Sequence, residues 1–176
     1  MTTNVTRPSE NEYVPYYAQY IRRVPDGDVF ELLSEQPNTL RALLSKLTPE
    51  QENFRHGPAE WSIKEVVGHL NDGERIFAYR ALRFSRNDLV PLPGFDQDIY
   101  IPTSNYSERT LSDILEEFEL LRGANVLAFN HISAEASQRC GTANDAPVSV
   151  RALIYIMAGH VEHHMESLRV DYLPKM

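Results

Sequence analysis

The sequence predicts an all-α fold built around four long helices, and three observations support this prediction. Apolar residues recur at helical spacing, i to i+3 or i+4, in four long segments. Residues that favour helix N-termini stand at or near the start of these segments. No segment alternates apolar and polar residues in the way that a half-buried strand does. With 176 residues, the chain is long enough to form one domain with its own core.

The first 25 residues are predicted to form an N-terminal arm ahead of this domain. The arm begins with a polar stretch, and a short helix is expected from Tyr13 to Val24. This helix should end near Pro25, because proline interrupts a helical hydrogen-bond pattern. We therefore divide the chain into the arm, residues 1–25, and a single bundle domain, residues 26–176.

The first bundle helix is expected to begin in the acidic stretch that follows Pro25. Asp26 or Asp28 can accept hydrogen bonds from the free backbone N–H groups of its first turn. Pro37 lies inside the predicted helix, so we expect a kink or a restart there, since proline lacks the N–H group that a helix interior uses. The apolar positions at helical spacing are Phe30, Leu33, Leu40, Leu44 and Leu47.

The second helix has the clearest predicted start. Ser62 and Glu65 form the pattern of a capping box, in which each side chain accepts a hydrogen bond from the other residue's backbone N–H group. The helix is expected to run to about Arg86. Its apolar stripe consists of Ile63, Val66, Val67, Leu70, Phe77, Ala81 and Phe84.

The remaining two helices are expected at about 110–131 and about 149–170, and two connections between helices are unusually long. The segment 88–106 contains three prolines and one glycine. Connections of this length are uncommon in compact domains, where they either carry function or cross over between helices. The second long connection, about 134–148, consists of small and polar residues.

Composition and charge exclude several classes of partner. The formal net charge is −8 and no Lys/Arg cluster offsets it, so we do not expect nucleic acid as a partner. Cys140 is the only cysteine, which rules out an intramolecular disulfide. The first 15 residues contain no apolar stretch typical of a signal peptide, and no apolar run is long enough to cross a bilayer. We therefore expect a cytoplasmic protein without a membrane partner.

The fourth helix carries two rival histidine pairs. His160 and His164 are spaced i, i+4, whereas His160 and His163 are spaced i, i+3, and either spacing puts two imidazoles on one helix face. The apolar stripe, centred on Met157, separates these alternatives. His164 lies about 20° and His160 about 60° from that centre, but His163 lies about 120° away. We therefore expect His160 and His164 to point into the bundle, and His163 and Glu162 to point outwards.

Two inward imidazoles one turn apart favour a metal site. Buried imidazoles need partners, and the ordinary alternative is that each one hydrogen-bonds a neighbouring helix. His69, on the second helix, lies about 100° from the stripe centre at Leu70, so periodicity alone makes it a flanking residue. Gly73 follows one turn later on the same face. It leaves room beside the His69 imidazole for a metal, a water or a substrate, or it permits close helix packing, and both interpretations stay open here.

Four strings of the sequence carry a family resemblance. They are Trp61–Leu70 (WSIKEVVGHL), Glu74–Arg80 (ERIFAYR), Pro93–Asp98 (PGFDQD) and Gly159–His164 (GHVEHH). Together they resemble the DinB-like superfamily, and within it the branch of YfiT-type metal-dependent hydrolases. The resemblance spans residues 28–173, and the combination of the first and last strings is more specific than either one alone.

The resemblance implies a four-helix bundle with a long crossover between the second and third helices. It also implies a divalent metal ion held by one histidine of the second helix and an H-x-x-x-H pair of the fourth, at positions that match His69, His160 and His164. Members of the family are similar to enzymes that transfer a low-molecular-weight thiol, or are described as hydrolases. The expected cofactor is zinc or nickel, with iron as a third option, and a homodimer is the expected assembly.

A three-histidine site with an open position permits two kinds of chemistry on a small-molecule substrate. A bound ion can activate water for hydrolysis or a thiol for transfer to an electrophile. Other metal enzymes are excluded, because the sequence lacks HExxH and Glu-x-x-His motifs and a second cysteine. Two non-enzymatic alternatives stay open: a binding module for a metal or small ligand, and a structural metal site within a homo-oligomer.

Several polar residues outside the histidines are candidates for roles in or near the site. Asp96, Asp98 and Tyr100 of the long connection are candidate catalytic groups at the metal, although turn formation around Pro93-Gly94 is the favoured explanation for each of them taken singly. Glu74 and Arg122 each fall inside an apolar stripe, which is unusual for charged residues. We therefore predict that they form an ion pair inside the bundle.

Overall fold

The computed structural model describes residues 5–176, and four long helices form a bundle in it. The helices are α1 (Ala18–Ile21), α2 (Val29–Leu44), α3 (Pro49–Glu52), α4 (Ile63–Ser85), α5 (Gln97–Thr103), α6 (Leu111–Phe129), α7 (Ala134–Gln138) and α8 (Val150–Ser167), and the strands are β1 (Cys140–Ala143) and β2 (Ala146–Ser149). Short 3-10 turns lie at Glu10–Glu12, Pro15–Tyr17, Tyr106–Glu108 and Leu173–Lys175, and a π-helical turn at Leu168–Tyr172. The predicted four-helix bundle, formed by α2, α4, α6 and α8, is confirmed.

The long connection between α4 and α6 is a crossover, as predicted. The ammonium of Lys64, in the first turn of α4, donates to the carbonyl oxygens of Ser107 (2.7 Å) and Arg109 (3.0 Å), immediately before α6. Farther along both helices, Glu74 contacts Arg122. The two helices are therefore neighbours that run in the same direction, and the chain between them must return along the length of the bundle.

The helix starts follow the predicted capping, but Pro37 does not interrupt α2. Asp28 caps α2, and Ser62 and Glu65 form both hydrogen bonds of the capping box at the start of α4. The expected restart at Pro37 is wrong, because α2 continues through it. A proline at this position leaves the carbonyl of Leu33 without its helical donor. Arg122 Nη1 lies 3.5 Å from that carbonyl oxygen and donates to it, which replaces the missing partner.

A buried polar layer divides the apolar core into two clusters. The predicted ion pair lies in this layer: Arg122 Nε and Nη2 donate to the two carboxylate oxygens of Glu74 at 2.9 and 2.8 Å. Both side chains are at most 2% exposed. The Gln36 amide oxygen accepts from Arg122 at 2.5 Å, and the Asn125 amide donates to Glu74 at 2.8 Å. The pairing of Glu74 with Arg122 is thus confirmed.

The second long connection folds into a β-hairpin that the sequence analysis did not predict. Strands β1 and β2 pair antiparallel around Asn144 and Asp145, whose φ angles are +52° and +58°. Asn and Asp tolerate this left-handed conformation better than other non-glycine residues, which allows a two-residue hairpin turn. The backbone of Leu92 bonds to Thr142 and Asn144 in both directions, at 2.9 and 3.0 Å. The hairpin therefore holds the crossover in place.

The N-terminal segment packs on the bundle from residue 5 onwards, whereas residues 1–4 lie outside the described part of the chain. Tyr20 and Ile21 of α1 are buried, and α1 packs against α8. A β-carbon at Gly159 would lie 2.0 Å from the carbonyl oxygen of Tyr20, so only glycine permits this approach. The division at residue 25 stays a prediction. Within residues 5–176, no helix has the length and apolar character needed to cross a bilayer.

Candidate metal centre

The packing of α4 against α8 brings three imidazoles together. His160 and His164 lie one turn apart on α8, and His69 faces them from α4. The Nε2 atom of His160 is 2.9 Å from Nε2 of His69 and 3.1 Å from Nε2 of His164. All three residues offer a ligand nitrogen within 4.8 Å of the others, and among residues 5–176 no further histidine, cysteine or carboxylate joins this group. His163 is half-buried and packs against His164, but it is not one of the three converging imidazoles.

The contacts of His160 Nε2 with the Nε2 atoms of His69 and His164 have the geometry of a set of metal ligands. His69 and His160 are 3% and 5% exposed, and their Nε2 atoms contact other imidazole nitrogens rather than a carboxylate or a carbonyl. In a neutral imidazole, His160 Nε2 has either one lone pair or one hydrogen, and that single site would have to serve both neighbours. Two nitrogens bound to one tetrahedral zinc ion at 2.0–2.1 Å lie about 3.3 Å apart, close to the distances found here. The three residues therefore fit a divalent metal ion.

The electrostatic surroundings keep the imidazoles neutral, which is the form that binds metals. Burial, reinforced by the nearby His163, lowers the pKa of His69 to about 4. Burial and the neighbouring imidazoles hold the pKa values of His160 and His164 well below the usual range. At neutral pH the three side chains can therefore act as ligands without first losing a proton.

Aromatic rings and a glycine enclose the imidazoles. The Trp61 ring packs 4.9 Å from that of His69, and the Tyr20 ring packs 5.3 Å from that of His160. A β-carbon at Gly73 would lie 3.0 Å from the His160 ring. Of the two interpretations of Gly73, the structure therefore supports close packing, and the neighbour that needs the space is His160 rather than His69.

Two cavities open beside the histidine cluster. The larger, about 450 Å³, is lined by His69 and His160 together with aromatic side chains of the arm and of α4. The smaller, about 300 Å³, is lined by Trp61 and His164. Gln97 and Asp98, at the start of α5, line both cavities. The crossover thus forms a shared wall in front of the histidines.

The three candidate catalytic residues of the crossover lie in different positions. Asp96 lines the larger cavity and caps α5, accepting a hydrogen bond from the backbone of Asp98 at 2.9 Å. Asp98 lines both cavities and has an exposed side chain. Tyr100 is 43% exposed, packs against Phe95 and lines neither cavity. The crossover therefore brings Asp96 and Asp98, but not Tyr100, to the cavities.

Arg80 and Tyr20 line the larger cavity but are not among the site residues that the sequence predicts. Arg80 of α4 is only 3% exposed, and Tyr20 reaches the cavity from the arm. Arg80 follows His69 by eleven residues, which puts it about 20° from His69 around the helix, so helical geometry could have identified it. Tyr20 has no comparable signal, because its position depends on how the arm packs against α8.

Comparisons with known proteins agree with the fold and with the metal-binding interpretation. The model of the DinB superfamily matches residues 32–168. A protein of Oceanobacillus iheyensis named "Putative metal-dependent hydrolase OB0413" is 23% identical over 162 residues, which cover 86% of this chain and 90% of that protein. The structure of YfiT from Bacillus subtilis, described as "a probable metal-dependent hydrolase with an unusual four-helix bundle topology", aligns with a TM-score of 0.71 at 17% identity over 93% of this chain and 92% of YfiT. This chain belongs to the DinB superfamily.

Proposed function

We propose that His69, His160 and His164 bind one divalent metal ion through Nε2 and that the protein is a metal-dependent enzyme. The convergence of three Nε2 atoms carries this proposal: Nε2 of the buried His160 lies 2.9 Å from that of the buried His69 and 3.1 Å from that of the half-buried His164. Three neutral imidazoles suit zinc or nickel, and iron is the third option. The names of the Oceanobacillus protein and of YfiT support metal-dependent hydrolysis, and the same ligand set suits transfer of a low-molecular-weight thiol.

The surroundings of the ligands support a catalytic site rather than a structural one. Structural zinc sites have four protein ligands, whereas catalytic sites keep a position for water or substrate. In the described part of the chain, three ligands converge and two of them line a 450 Å³ cavity. This volume suits a small-molecule substrate. A closed metal site in a homo-oligomer and a non-catalytic binding module are the alternatives that these features disfavour.

The residues around the cavity have separate tasks in this proposal. A bound ion supplies Lewis-acid chemistry, because it lowers the pKa of a water or a thiol in its free coordination position. Trp61 and Tyr20 hold the imidazoles in place and exclude bulk water. Asp98 is the best placed group for accepting a proton, since its side chain lines both cavities. Asp96 orients Asp98 through its backbone hydrogen bond.

We further propose that the protein acts in the cytoplasm as a homodimer. An apolar stripe on α6 supports an interface between two copies. Leu120 and Leu127 are 70% and 78% exposed, and the small residues Gly123, Ala124 and Ala128 lie between and beside them. Sedimentation of the purified protein at micromolar concentration tests this assembly, and a monomeric wild-type protein would contradict it.

The metal content of untagged protein tests the ligand assignment. Wild-type protein should retain about one divalent ion per chain by elemental analysis, whereas His69→Ala and His164→Ala should lose most of it, because removal of one of three ligands leaves too few for tight binding. The matched control is His131→Ala, which removes an exposed histidine far along the chain from the cluster. Full metal retention in both ligand variants would refute the assignment.

Turnover then separates an enzyme from a binding module. The metal-loaded protein is assayed with activated esters for hydrolysis and with a thiol plus an alkylating electrophile for transfer. His160→Ala should abolish either activity, and Asp98→Asn should lower the rate while the metal content stays at the wild-type level. Absence of both activities in metal-loaded wild-type protein would favour the binding module.

A further inference from the structure

A buried arginine without a carboxylate partner lies in the wall of the larger cavity. Two arginines are buried in residues 5–176, Arg80 and Arg122. Arg122 is paired with Glu74 through two hydrogen bonds. Arg80 is 3% exposed, yet within the described residues no carboxylate oxygen lies within 4 Å of its guanidinium. Buried arginines are almost always paired, because an unpaired charge loses its hydration without compensation.

The contacts that Arg80 makes are with neutral groups, so they leave its positive charge without an opposite charge. Its Nη2 donates to the carbonyl oxygen of Pro93 at 2.8 Å, and the guanidinium lies 5.8 Å from the centre of the Phe95 ring. The guanidinium also donates a hydrogen bond to the Tyr17 hydroxyl, and its charge and this bond oppose the rise that burial causes in the pKa of that phenol. These groups are neutral, whereas a guanidinium has five N–H donors and a full positive charge.

The position of Arg80 relative to the histidines defines the shape of a ligand. His69, Gly73, Phe77 and Arg80 follow one another at spacings of four, four and three residues, so they lie along one face of α4. Eleven residues at about 1.5 Å each separate the Cα atoms of His69 and Arg80 by about 16 Å. An arginine side chain on a helix points towards the helix N-terminus, here towards the histidines, which shortens the span. Both ends of this face line the same cavity.

We infer that the cavity takes an elongated substrate with a carboxylate at the end that Arg80 binds and a metal-directed group at the other end. This inference rests on the proposed metal site, and it names the substrate class for that site. A planar guanidinium matches a carboxylate through two parallel hydrogen bonds. A single positive charge balances one carboxylate but leaves a phosphate dianion half neutralised. The walls between the two ends are aromatic, formed by Tyr17, Tyr20 and Phe77.

The two carboxylates of the cavity do not occupy the place of the substrate carboxylate. Asp96 and Asp98 line the same cavity, but both side chains are exposed and neither forms an ion pair with Arg80. Asp98 also lines the second cavity beside His164, which puts it at the histidine end. Arg80 and Asp98 therefore lie at different ends of the cavity, and this polarity orients a ligand that carries one carboxylate.

Matched thiols with and without a carboxylate test this inference. The dissociation constants of 6-mercaptohexanoate and 6-mercaptohexanol are measured by calorimetry with zinc-loaded wild type, Arg80→Gln, Arg80→Lys and the control Arg86→Gln, which removes an exposed charge from the end of the same helix. Wild type and the control should prefer the acid by about tenfold or more, the size of a charge-assisted pair. Arg80→Gln should lose the preference and bind the alcohol as wild type does, and Arg80→Lys should keep part of it.

The outcomes separate a ligand-binding arginine from a structural one. Equal weakening of both thiols in Arg80→Gln, an undiminished preference in that variant, or no preference in wild type would each overturn the inference. If the protein does not retain zinc, the proposed metal site fails, and a second measurement on metal-free protein decides the role of Arg80 alone. There, hexanoate but not 1-hexanol should shift the Nε–H resonance of Arg80 in proton–nitrogen spectra, and an unshifted resonance would contradict the inference.

Discussion

Removal of Glu74 should destabilise the protein more than any other single change to an ion pair. The Glu74→Leu substitution leaves the Arg122 guanidinium 1% exposed, without the two carboxylate hydrogen bonds of 2.9 and 2.8 Å. The Gln36 amide oxygen and two distant carbonyls remain as its acceptors. Breaking a buried pair in this way costs about 3–5 kcal/mol. For a chain of this size, that loss lowers the melting temperature by roughly 8–15 °C.

A double-mutant cycle isolates the pair from its surroundings. Arg122→Met should cost about as much as Glu74→Leu, because it leaves a buried carboxylate to which only Asn125 still donates a hydrogen bond. Replacement of both residues, Glu74→Leu with Arg122→Met, removes both charges and should cost only about 2 kcal/mol, mostly from the amides of Gln36 and Asn125 that lose their partners. The expected coupling energy is therefore about 4 kcal/mol or more.

Urea unfolding of metal-free protein at neutral pH, followed by circular dichroism, gives the four free energies. The control is Arg41→Gln, which removes the half-exposed pair between Arg41 and Glu119 and should cost no more than about 1 kcal/mol. If the two single-variant costs simply add in the double variant, within about 0.5 kcal/mol, the side chains are not coupled and the reasoning is wrong.

Three further predictions concern acid stability and packing. Burial raises the pKa of Glu12, but hydrogen bonds from Arg151, from the Ser9 backbone and from a serine hydroxyl outweigh it and lower the pKa to about 2. The pair therefore contributes stability that is complete above about pH 4.5 and is lost towards pH 2, on the order of 2 kcal/mol, and Glu12→Gln should flatten this part of the urea-midpoint profile. His69 is neutral when folded, with a pKa of about 4, whereas unfolded histidine titrates near 6.5. Metal-free protein should therefore lose stability as the pH falls from about 6.5 to about 4, and a constant urea midpoint across this window would contradict the burial of neutral imidazoles. A β-carbon at Gly68 would lie 2.3 Å from the ring of Tyr106, so Gly68→Ala should destabilise the protein by about 1–3 kcal/mol in thermal unfolding, despite the better helix propensity of alanine.

Local patterns in the sequence predict the helices and their starts, but not the contacts that decide the exceptions. The capping box at Ser62 needs only residues three apart, so it is visible in the sequence. The continuity of α2 through Pro37 depends on a donor from Arg122, 85 residues away, which no local pattern indicates. The hairpin was missed because its turn uses Asn144-Asp145 in place of a glycine-containing pair.

In the candidate site, too, local patterns predict some residues and not others. Angles around the fourth helix separate His160 and His164 from His163, because one apolar stripe defines the buried face. The same method made His69 a flanking residue, since a face that contacts a neighbouring helix without being apolar has no signature. Arg80 shares that face, and helical geometry identifies it only once His69 is taken as a ligand. The position of Tyr20 could not be predicted, because it depends on how the arm packs against Gly159 in a helix distant along the chain.

The contact at Gly159 has a consequence for how access to the histidines is controlled. Gly159 directly precedes His160, and the backbone of Tyr20 packs against Gly159. The Tyr20 ring in turn covers the His160 imidazole. A side chain at position 159 would push Tyr20 away from the histidines, while the four long helices would stay packed. Solvent entry to the histidines and the size of the cavity can therefore change through position 159, without any change to the three imidazoles.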